Sequence, residues 1–251
     1  MFDVDFNLVN AAIFRSNLQI LKPVFEYDFV NLDSLISIDF QKNELLKNTQ
    51  NFIDKNMANH ALLWGEKGCG KSSLCKGVFA KFFDKNLRVV EILSEDLKFL
   101  PEILDFLRNE KNFKFIIFCD DLSFEQNDCG YKFLKPLLEG SIEKPPCNVL
   151  FYATTNRRHL IKESFNEEEI HKMDEFSQKL SLSERFGLNL SFYEGNFEDY
   201  LKMIDFYFSD FFVKNPEKIN EIHKKAKQFA MLKSAKNGRV AKQFYLGFYD
   251  E

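Results

Sequence analysis

The stretch "LLWGEKGCGKSSL" at residues 62–74 constrains the fold of this chain more than any other segment. Gly65, Gly70, Lys71 and Ser72 match the pattern G-x-x-x-x-G-K-[ST], and the sequence predicts a strand before them and a helix after them. Glycines in that context let backbone N–H groups face a chain of phosphates, and the helix N-terminus adds a partial positive charge. The segment therefore predicts a phosphate-binding loop, and the alternative is an ordinary glycine-rich turn.

The positions of this loop have expected roles in binding a nucleotide. Lys71 is expected to reach the β- and γ-phosphates, and the Ser72 hydroxyl is expected to ligate Mg²⁺. Neither Cys69 nor the nearby Cys75 is expected to act as a thiol. The residues that we expect to contact the nucleotide are Gly65, Glu66, Lys67, Gly68, Cys69, Gly70, Lys71, Ser72 and Ser73.

Short apolar runs alternate with helical patterns around this loop. The alternation predicts βαβ units and a parallel sheet that helices bury on both faces. The runs that predict strands are "HALLW" (60–64), "RVVEIL" (88–93), "FKFIIFCDD" (113–121) and "NVLFYATTN" (148–156). The patterns that predict helices lie at 39–55, 71–85, 97–108 and 131–140.

The two ends of the chain have a different pattern from its centre. Residues 1–30 are mixed, and we interpret them as helical. Beyond about residue 193 the strand pattern stops, and helical patterns follow at 196–212, 215–233 and 238–248. The predicted divisions are an N-terminal helical extension at 1–31, an α/β nucleotide-binding core at 32–192 and a helical lid at 193–251.

Composition excludes several classes of protein. A net charge of −4 over 251 residues gives no general attraction to nucleic acid or to an anionic membrane. Five cysteines, none in a C-x-x-C pair, form neither a secreted disulfide pattern nor a zinc site. No apolar run reaches the ~18 residues that span a bilayer, and the N-terminus has acids where a signal peptide has bases. We expect a reduced, cytoplasmic protein without a membrane segment.

An acidic element follows the most apolar predicted strand. Asp120 ends "FIIFCD", where a carboxylate beside a buried strand costs free energy unless a cation accompanies it. This position indicates a ligand for Mg²⁺, and the alternative is a carboxylate that caps a turn. Asp121 is the candidate for orienting or deprotonating an attacking water, and Glu125 is a possible substitute.

Arginine is rare, with seven among the 34 basic residues, and four of the seven lie in motif-like positions. Arg157 and Arg158 follow "ATTN", Arg185 lies in "SLSERFG", and Arg239 lies in "NGRVAKQF". The planar guanidinium suits phosphate, and a surface salt bridge is the alternative for each. Asn156 ends the preceding strand, where its amide would position a hydrolytic water or serve only as a turn residue.

In this order, the elements resemble those of the AAA+ ATPases. The matching elements are Walker A (65–72), Walker B (115–121), sensor 1 (Asn156), an arginine-finger segment (Arg185) and sensor 2 (Arg239). More narrowly, residues 32–248 resemble the predicted ATPases grouped as domain-of-unknown-function family 815. The resemblance implies an α/β P-loop NTPase fold, with a three-layer core around a parallel sheet and a small C-terminal all-helical lid. Asp121 replaces the glutamate that is usual in AAA+ proteins, and this bears on turnover more than on ATP binding.

The resemblance also implies an ATPase that needs Mg²⁺ and works as a homo-oligomer with shared active sites. Asp121, Asn156 and Arg185 would be catalytic, with Arg185 reaching the γ-phosphate in a neighbouring subunit. Arg239 would bind the nucleotide of its own subunit, and Asp120 would hold the metal together with Ser72. The expected task is remodelling or loading of a macromolecular partner, protein rather than nucleic acid. The alternatives are an ATP-dependent binding switch with little turnover and a small-molecule P-loop kinase.

Overall fold

Short apolar runs of the chain assemble into one central sheet. The computed structural model describes residues 2–124, 130–156 and 183–248. Its strands are β1 (Ala11–Arg15), β2 (Ile20–Val24), β3 (Ala61–Gly65), β4 (Leu87–Glu91), β5 (Lys114–Cys119), β6 (Val149–Thr155) and β7 (Leu188–Phe192). They pair in the order β2-β1-β4-β5-β6-β3-β7.

The direction of the strands decides which loops become neighbours. All adjacent strands are parallel except β1 and β2, which form an antiparallel hairpin. β6 lies between β3 and β5, with Ala153 opposite both Leu62 and Cys119. Because parallel strands end at the same edge of a sheet, the loops that follow β3, β5 and β6 meet there.

Helices cover both faces of this sheet and form the C-terminal region. Within the described residues they are α1 (Asp39–Lys55), α2 (Lys71–Lys81), α3 (Leu100–Asn109), α4 (Tyr131–Glu139), α5 (Phe197–Tyr207), α6 (Ser209–Lys214), α7 (Ile219–Lys233) and α8 (Gly238–Phe248). Helices α1 and α2 pack on one face, and α3 and α4 pack on the other. The predicted three-layer α/β core with a helical C-terminal region is confirmed.

The side chains of β5 show why the sheet needs helices on both sides. Phe115 and Ile117 are fully buried in the hydrophobic cluster beneath α3 and α4. Ile116 and Phe118 are buried in the cluster beneath α1 and α2. Alternate residues of a strand point to opposite faces, so a strand that is apolar throughout must be covered twice.

The C-terminal helices pack around a hydrophobic cluster of their own. Tyr200 and Ile204 of α5 are buried there together with Ala226 of α7 and Phe244 of α8. The fully buried Phe208 follows α5, and its ring centroid lies 5.9 Å from that of Phe244. This aromatic packing gives the helical region a core separate from the two clusters on the sheet.

The N-terminal segment differs from the prediction. The helical extension expected at 1–31 is wrong, because residues 11–15 and 20–24 form strands β1 and β2. β1 pairs in parallel with β4, with Ala12 opposite Val90, and covers a strand edge that would otherwise expose unpaired backbone groups. β2 (ILKPV) is interrupted by lysine and proline and lacks the continuous apolar run of the buried strands, so long-range pairing determines this region.

Several sequence features lie outside the described residues, namely Glu125, Arg157 and Arg158. In the part of the chain that the structure describes, no helix is both long and apolar enough to cross a membrane. The described cysteines carry free thiols: Cys69, Cys75, Cys119 and Cys147.

Candidate functional site

The predicted phosphate loop connects β3 to α2 and requires glycine at two points. A Cβ atom at Gly65, where φ is +133°, would overlap the carbonyl oxygen of Phe192. A Cβ atom at Gly68, where φ is +81°, would lie 2.7 Å from the side-chain oxygen of Asn237. The loop therefore follows a path that only glycine permits, and it brings Lys71 to the first turn of α2.

Lys71 is buried, and its ammonium group lies against the loop itself. Its Nζ donates to the carbonyl oxygens of Gly65 at 2.9 Å and Glu66 at 2.7 Å, and to Asn156 Oδ1 at 3.1 Å. Burial lowers the pKa of Lys71, and the carboxylate of Asp121 opposes that shift. All three acceptors are neutral, so a phosphate oxygen would form a stronger, charge-assisted bond with this cation.

The two predicted metal-holding residues are in direct contact. The Ser72 hydroxyl donates to Oδ1 of Asp120 at 2.6 Å, and the Thr154 hydroxyl donates to the same oxygen. Asp120 follows β5 and Thr154 lies in β6, so the pairing of those strands brings them together. Hydroxyl and carboxylate oxygens fit Mg²⁺, which commonly takes only one or two protein ligands beside phosphate and water. The described residues contain no cluster of three or more His, Cys, Asp or Glu placed to hold a metal.

Asp121 and Asn156 form a second polar pair beside the first. Asn156 Nδ2 donates to Oδ1 of Asp121 at 2.6 Å, while its Oδ1 accepts from Lys71. Asp121 has φ +55°, an uncommon conformation that aspartate tolerates better than most residues. Its N–H donates to Oγ1 of Thr154 at 3.0 Å, so one hydroxyl helps to place both aspartates.

These side chains open into a cavity of about 710 Å³, a volume within the range of small-molecule sites. The phosphate loop, both aspartates and Asn156 line one part of it, and residues 28–38 line another. The helical C-terminal region contributes Met203, Tyr207 and Arg239. The cavity therefore combines a polar end, which carries the predicted phosphate and metal residues, with a more apolar wall.

The two arginines predicted to act on a nucleotide lie in different places. Arg239 is in the first turn of α8 and lines the cavity, and its charge adds to burial in lowering the pKa of Lys71. Arg185 lies outside the cavity lining and forms an ion pair with Glu139 at the end of α4. The structure thus brings Arg239 to the site of its own chain and leaves Arg185 apart from it.

Three residues beside the predicted set were missed from the sequence. Thr154 could have been found from the sequence, because it lies two positions before Asn156, and alternate residues along a strand point to the same side. Asn237 could also have been found, because it directly precedes a predicted helix and asparagine is a common N-cap residue. Glu194 accepts from the N–H of Lys236 at 2.8 Å, but this contact joins distant segments and leaves no local pattern.

Comparison with solved structures shows which known fold this chain shares. One chain of the E. coli MS115-1 HORMA:CdnC:Trip13 complex gives a TM-score of 0.54 at 11% identity, over 86% of this chain and 90% of that chain. C. elegans PCH-2 gives a TM-score of 0.54 at 16% identity, over 84% of this chain and 63% of that chain. At these identities the likeness shows the shared fold, which is the AAA+ P-loop fold.

A family model identifies the chain more narrowly. The chain belongs to the family described as "Protein of unknown function (DUF815)", whose model matches residues 7–251. The resemblance inferred from the motifs is therefore confirmed at the level of class and family. A search of curated proteins finds no match.

Proposed function

We propose that this protein binds ATP with Mg²⁺ in the cavity and hydrolyses it, as an AAA+ ATPase whose subunits share active sites. The observation that carries the proposal is one hydrogen-bonded set at the carboxyl edge of the sheet. Its members are Lys71, Ser72, Asp120, Asp121, Thr154 and Asn156. Each type of side chain that a metal-bound triphosphate requires is in this set, within one cavity.

The binding roles follow from the contacts. The loop backbone from Gly65 to Ser73 receives the phosphates, and Lys71 exchanges neutral carbonyl oxygens for the β- and γ-phosphate oxygens. Ser72 and Asp120 hold Mg²⁺, which when bound neutralises charge on the phosphates. Arg239 reaches the same phosphates from the helical region, whose other residues close the cavity.

The hydrolytic roles fall to Asp121 and Asn156. The Asp121 carboxylate lines the cavity and is assigned to orient and deprotonate the attacking water. Asn156 bonds to both Asp121 and Lys71, so its amide fixes the carboxylate relative to the phosphate-binding cation. Aspartate is one methylene shorter than the usual glutamate, so its carboxylate has less reach. The hydrogen bond from Asn156 therefore matters more for holding the Asp121 carboxylate at the right position.

An ATP-dependent binding switch with little turnover is the second candidate. It is favoured by the 2.6 Å bond between Asn156 and Asp121, which occupies a carboxylate oxygen that a water molecule needs. In that case the nucleotide would set the conformation of the helical region, and hydrolysis would be slow.

The position of Arg185 supports a site completed by a second subunit. Arg185 does not line the cavity of its own chain. An arginine finger that acts on the nucleotide of a neighbouring subunit is expected to lie outside its own cavity. Such a finger is worth about 10³–10⁵ in rate. Hydrolysis coupled between subunits would serve to remodel or load a macromolecular partner, and a net charge of −4 favours protein over nucleic acid.

Turnover of ATP per subunit, measured as protein concentration rises, tests the proposal. Wild-type specific activity is expected to climb, whereas Arg185→Ala is expected to bind ATP and lose about 10³-fold in turnover. Trp64, the single tryptophan, lies beside the loop with its ring 5.7 Å from Tyr193 and reports binding by fluorescence. Arg108→Ala is the matched control, because Arg108, like Arg185, is not among the residues that line the cavity and forms an ion pair, here with Glu143.

The remaining outcomes separate the two candidates. If wild type and Arg185→Ala both bind ATP and neither hydrolyses it at any concentration, the binding switch replaces the ATPase. If the wild type does not bind ATP, both candidates are overturned.

A further inference from the structure

A set of hydrogen bonds joins the phosphate loop to the start of α8. Asn237 Nδ2 donates to the carbonyl oxygen of Lys67 at 3.1 Å and to Glu194 Oε1 at 3.3 Å. The same Glu194 oxygen accepts from the N–H of Lys236 at 2.8 Å, and the N–H of Glu194 donates to Glu66 Oε2 at 2.6 Å. We call these five residues (Glu66, Lys67, Glu194, Lys236 and Asn237) the clasp.

Asn237 uses both ends of its amide in this clasp. Its Oδ1 accepts from the N–H of Val240 at 3.2 Å and caps α8, while its Nδ2 bonds to the loop. Among the usual N-cap residues, only asparagine combines the capping oxygen with an NH₂ group that has two donors. Asn237 is buried, with 8% of its surface exposed, so water cannot replace these partners freely. Capping α8 requires only the side-chain oxygen of Asn237, so the two bonds that its NH₂ group donates serve a separate purpose.

The loop and the start of α8 are also in close steric contact. A Cβ atom on Gly68 would lie 2.7 Å from Oδ1 of Asn237, closer than Cβ atoms approach other atoms in proteins. Packing this tight leaves little space to absorb a displacement of the loop. These contacts therefore connect the loop backbone directly to the first turn of α8, which contains Arg239.

We propose that Asn237 and Glu194 are positioning residues that make the placement of Arg239 depend on the shape of the phosphate loop. The inference rests on the proposed nucleotide function. When a triphosphate binds, Lys71 exchanges the carbonyl oxygens of Gly65 and Glu66 for β- and γ-phosphate oxygens, of which ADP supplies only the former, and Glu66 belongs to the clasp. The clasp passes this change to Arg239, so that the site distinguishes ATP from ADP through the helical region as well as through the phosphates themselves.

The ratio of the affinities for ATP and ADP tests this inference, because a purely structural role would leave the ratio unchanged. Both affinities are measured with Mg²⁺ by Trp64 fluorescence on the whole protein. Asn237→Ser keeps a capping oxygen and removes the NH₂ group, and the preference for ATP is expected to fall about fivefold, the equivalent of one net hydrogen bond. Asn196→Ser is the matched control, because Asn196 caps α5 through the N–H of Asp199 and is outside the clasp.

A double-mutant cycle with Arg239→Ala separates positioning from capping. If Asn237 acts through Arg239, Asn237→Ser causes no further loss of ATP preference in the Arg239→Ala background. Additive losses would mean that the two residues act independently, and they would overturn the inference. Asn237→Thr, which also keeps a capping oxygen, lacks the NH₂ group and adds no charge, supplies the same measurement if the serine variant does not fold.

The failure of this inference can be distinguished from the failure of the proposed function. A wild type that prefers ATP, together with an Asn237→Ser variant that keeps the full preference, overturns the clasp and leaves the nucleotide site intact. A wild type that binds ATP and ADP equally has the same consequence. A wild type that binds neither nucleotide overturns both.

Discussion

The two ends of the central sheet use polar side chains in different ways. At the carboxyl end, side chains bond mainly to one another, as Ser72 does to Asp120 and Asn156 does to Asp121. Lys71 bonds there to a side chain and to two loop carbonyl oxygens. At the amino end, side chains bond to the backbone, as Arg88 does to three carbonyl oxygens. A ligand that enters the cavity can replace a partner at the carboxyl end, whereas the carbonyl oxygens around the buried Arg88 need their donor for as long as the chain is folded. The difference indicates that one end is arranged for binding and the other for stability.

The largest expected effect comes from Lys71→Met at the carboxyl end. Turnover should fall about 10²–10³-fold, because this change removes a cation that meets charge developing on the phosphates. The free energy of unfolding should fall by less than about 2 kcal/mol. The carbonyl oxygens of Gly65 and Glu66 lose a donor, but a buried cation is removed as well and water in the adjoining cavity can replace the donor. Turnover and urea unfolding are measured on the same preparation.

Lys81→Met is the control for this prediction, because Lys81 is exposed at the last turn of the same helix. It should change neither quantity. A loss of more than about 2 kcal/mol of stability in Lys71→Met would contradict the comparison, because the carboxyl end would then also support the fold.

Arg88→Met at the amino end should show the opposite behaviour. Arg88 donates to the carbonyl oxygens of Phe6 at 2.7 Å, Leu87 at 2.8 Å and Phe83 at 3.1 Å, and its guanidinium lies 4.6 Å from the ring centroid of Phe113. Removing it leaves buried acceptors without a donor, which should lower the free energy of unfolding by about 3 kcal/mol. Urea unfolding measures this loss, and turnover of the folded protein at 25 °C should equal that of wild type.

Arg108→Met serves as the matched control for Arg88→Met. Arg108 is more exposed, donates to the carbonyl oxygen of Lys144 at 3.0 Å and pairs with Glu143 at 3.2 Å. Its loss should cost no more than about 1 kcal/mol. If Arg88→Met lowered turnover and left stability unchanged, the conclusion that the amino end of the sheet serves stability and the carboxyl end serves binding would be wrong.

The carboxyl end was also the easier region to predict from the sequence. Lys71, Asp120, Asn156 and Arg239 follow strand ends or begin helices at spacings that phosphate chemistry requires, and the structure places all four around one cavity. Their separation along the chain did not matter, because the parallel sheet aligns its strand ends.

What was missed depends on contacts between distant segments. Strands β1, β2 and β7 lie toward the two sides of the sheet, and β2 and β7 lack the continuous apolar run of the central strands. Among the described strands, β2 pairs only with β1, β1 also pairs with β4, and β7 pairs with β3. Glu194 and Asn237 belong to the clasp through contacts that span up to 170 residues of sequence. Residue type and spacing therefore predicted which side chains meet at this edge of the sheet, while the segments that enclose the cavity required the folded structure.

The smallest expected effect extends the comparison to pH. His60 precedes β3 at the amino end, and its Nδ1 accepts from the N–H of Phe151 at 3.0 Å, which only a neutral ring can do. Burial lowers the pKa of His60 to about 4, below its ordinary value of 6.5. The unfolded chain therefore binds a proton as pH falls below about 6.5, while the folded chain does so only near 4. Stability from this residue is full above 6.5 and is lost through that window.

Between pH 7 and pH 5 this linkage should remove about 2 kcal/mol from the free energy of unfolding. His60→Asn does not titrate in this range and can still offer an oxygen to the N–H of Phe151. Its stability should therefore fall by about 2 kcal/mol less than that of wild type when urea unfolding is compared at the two pH values. Equal losses of stability in the two proteins would show that the His60 ring accepts a proton in the folded chain between pH 7 and pH 5. Water would then reach the amino end of the sheet more easily than its backbone hydrogen bonds indicate.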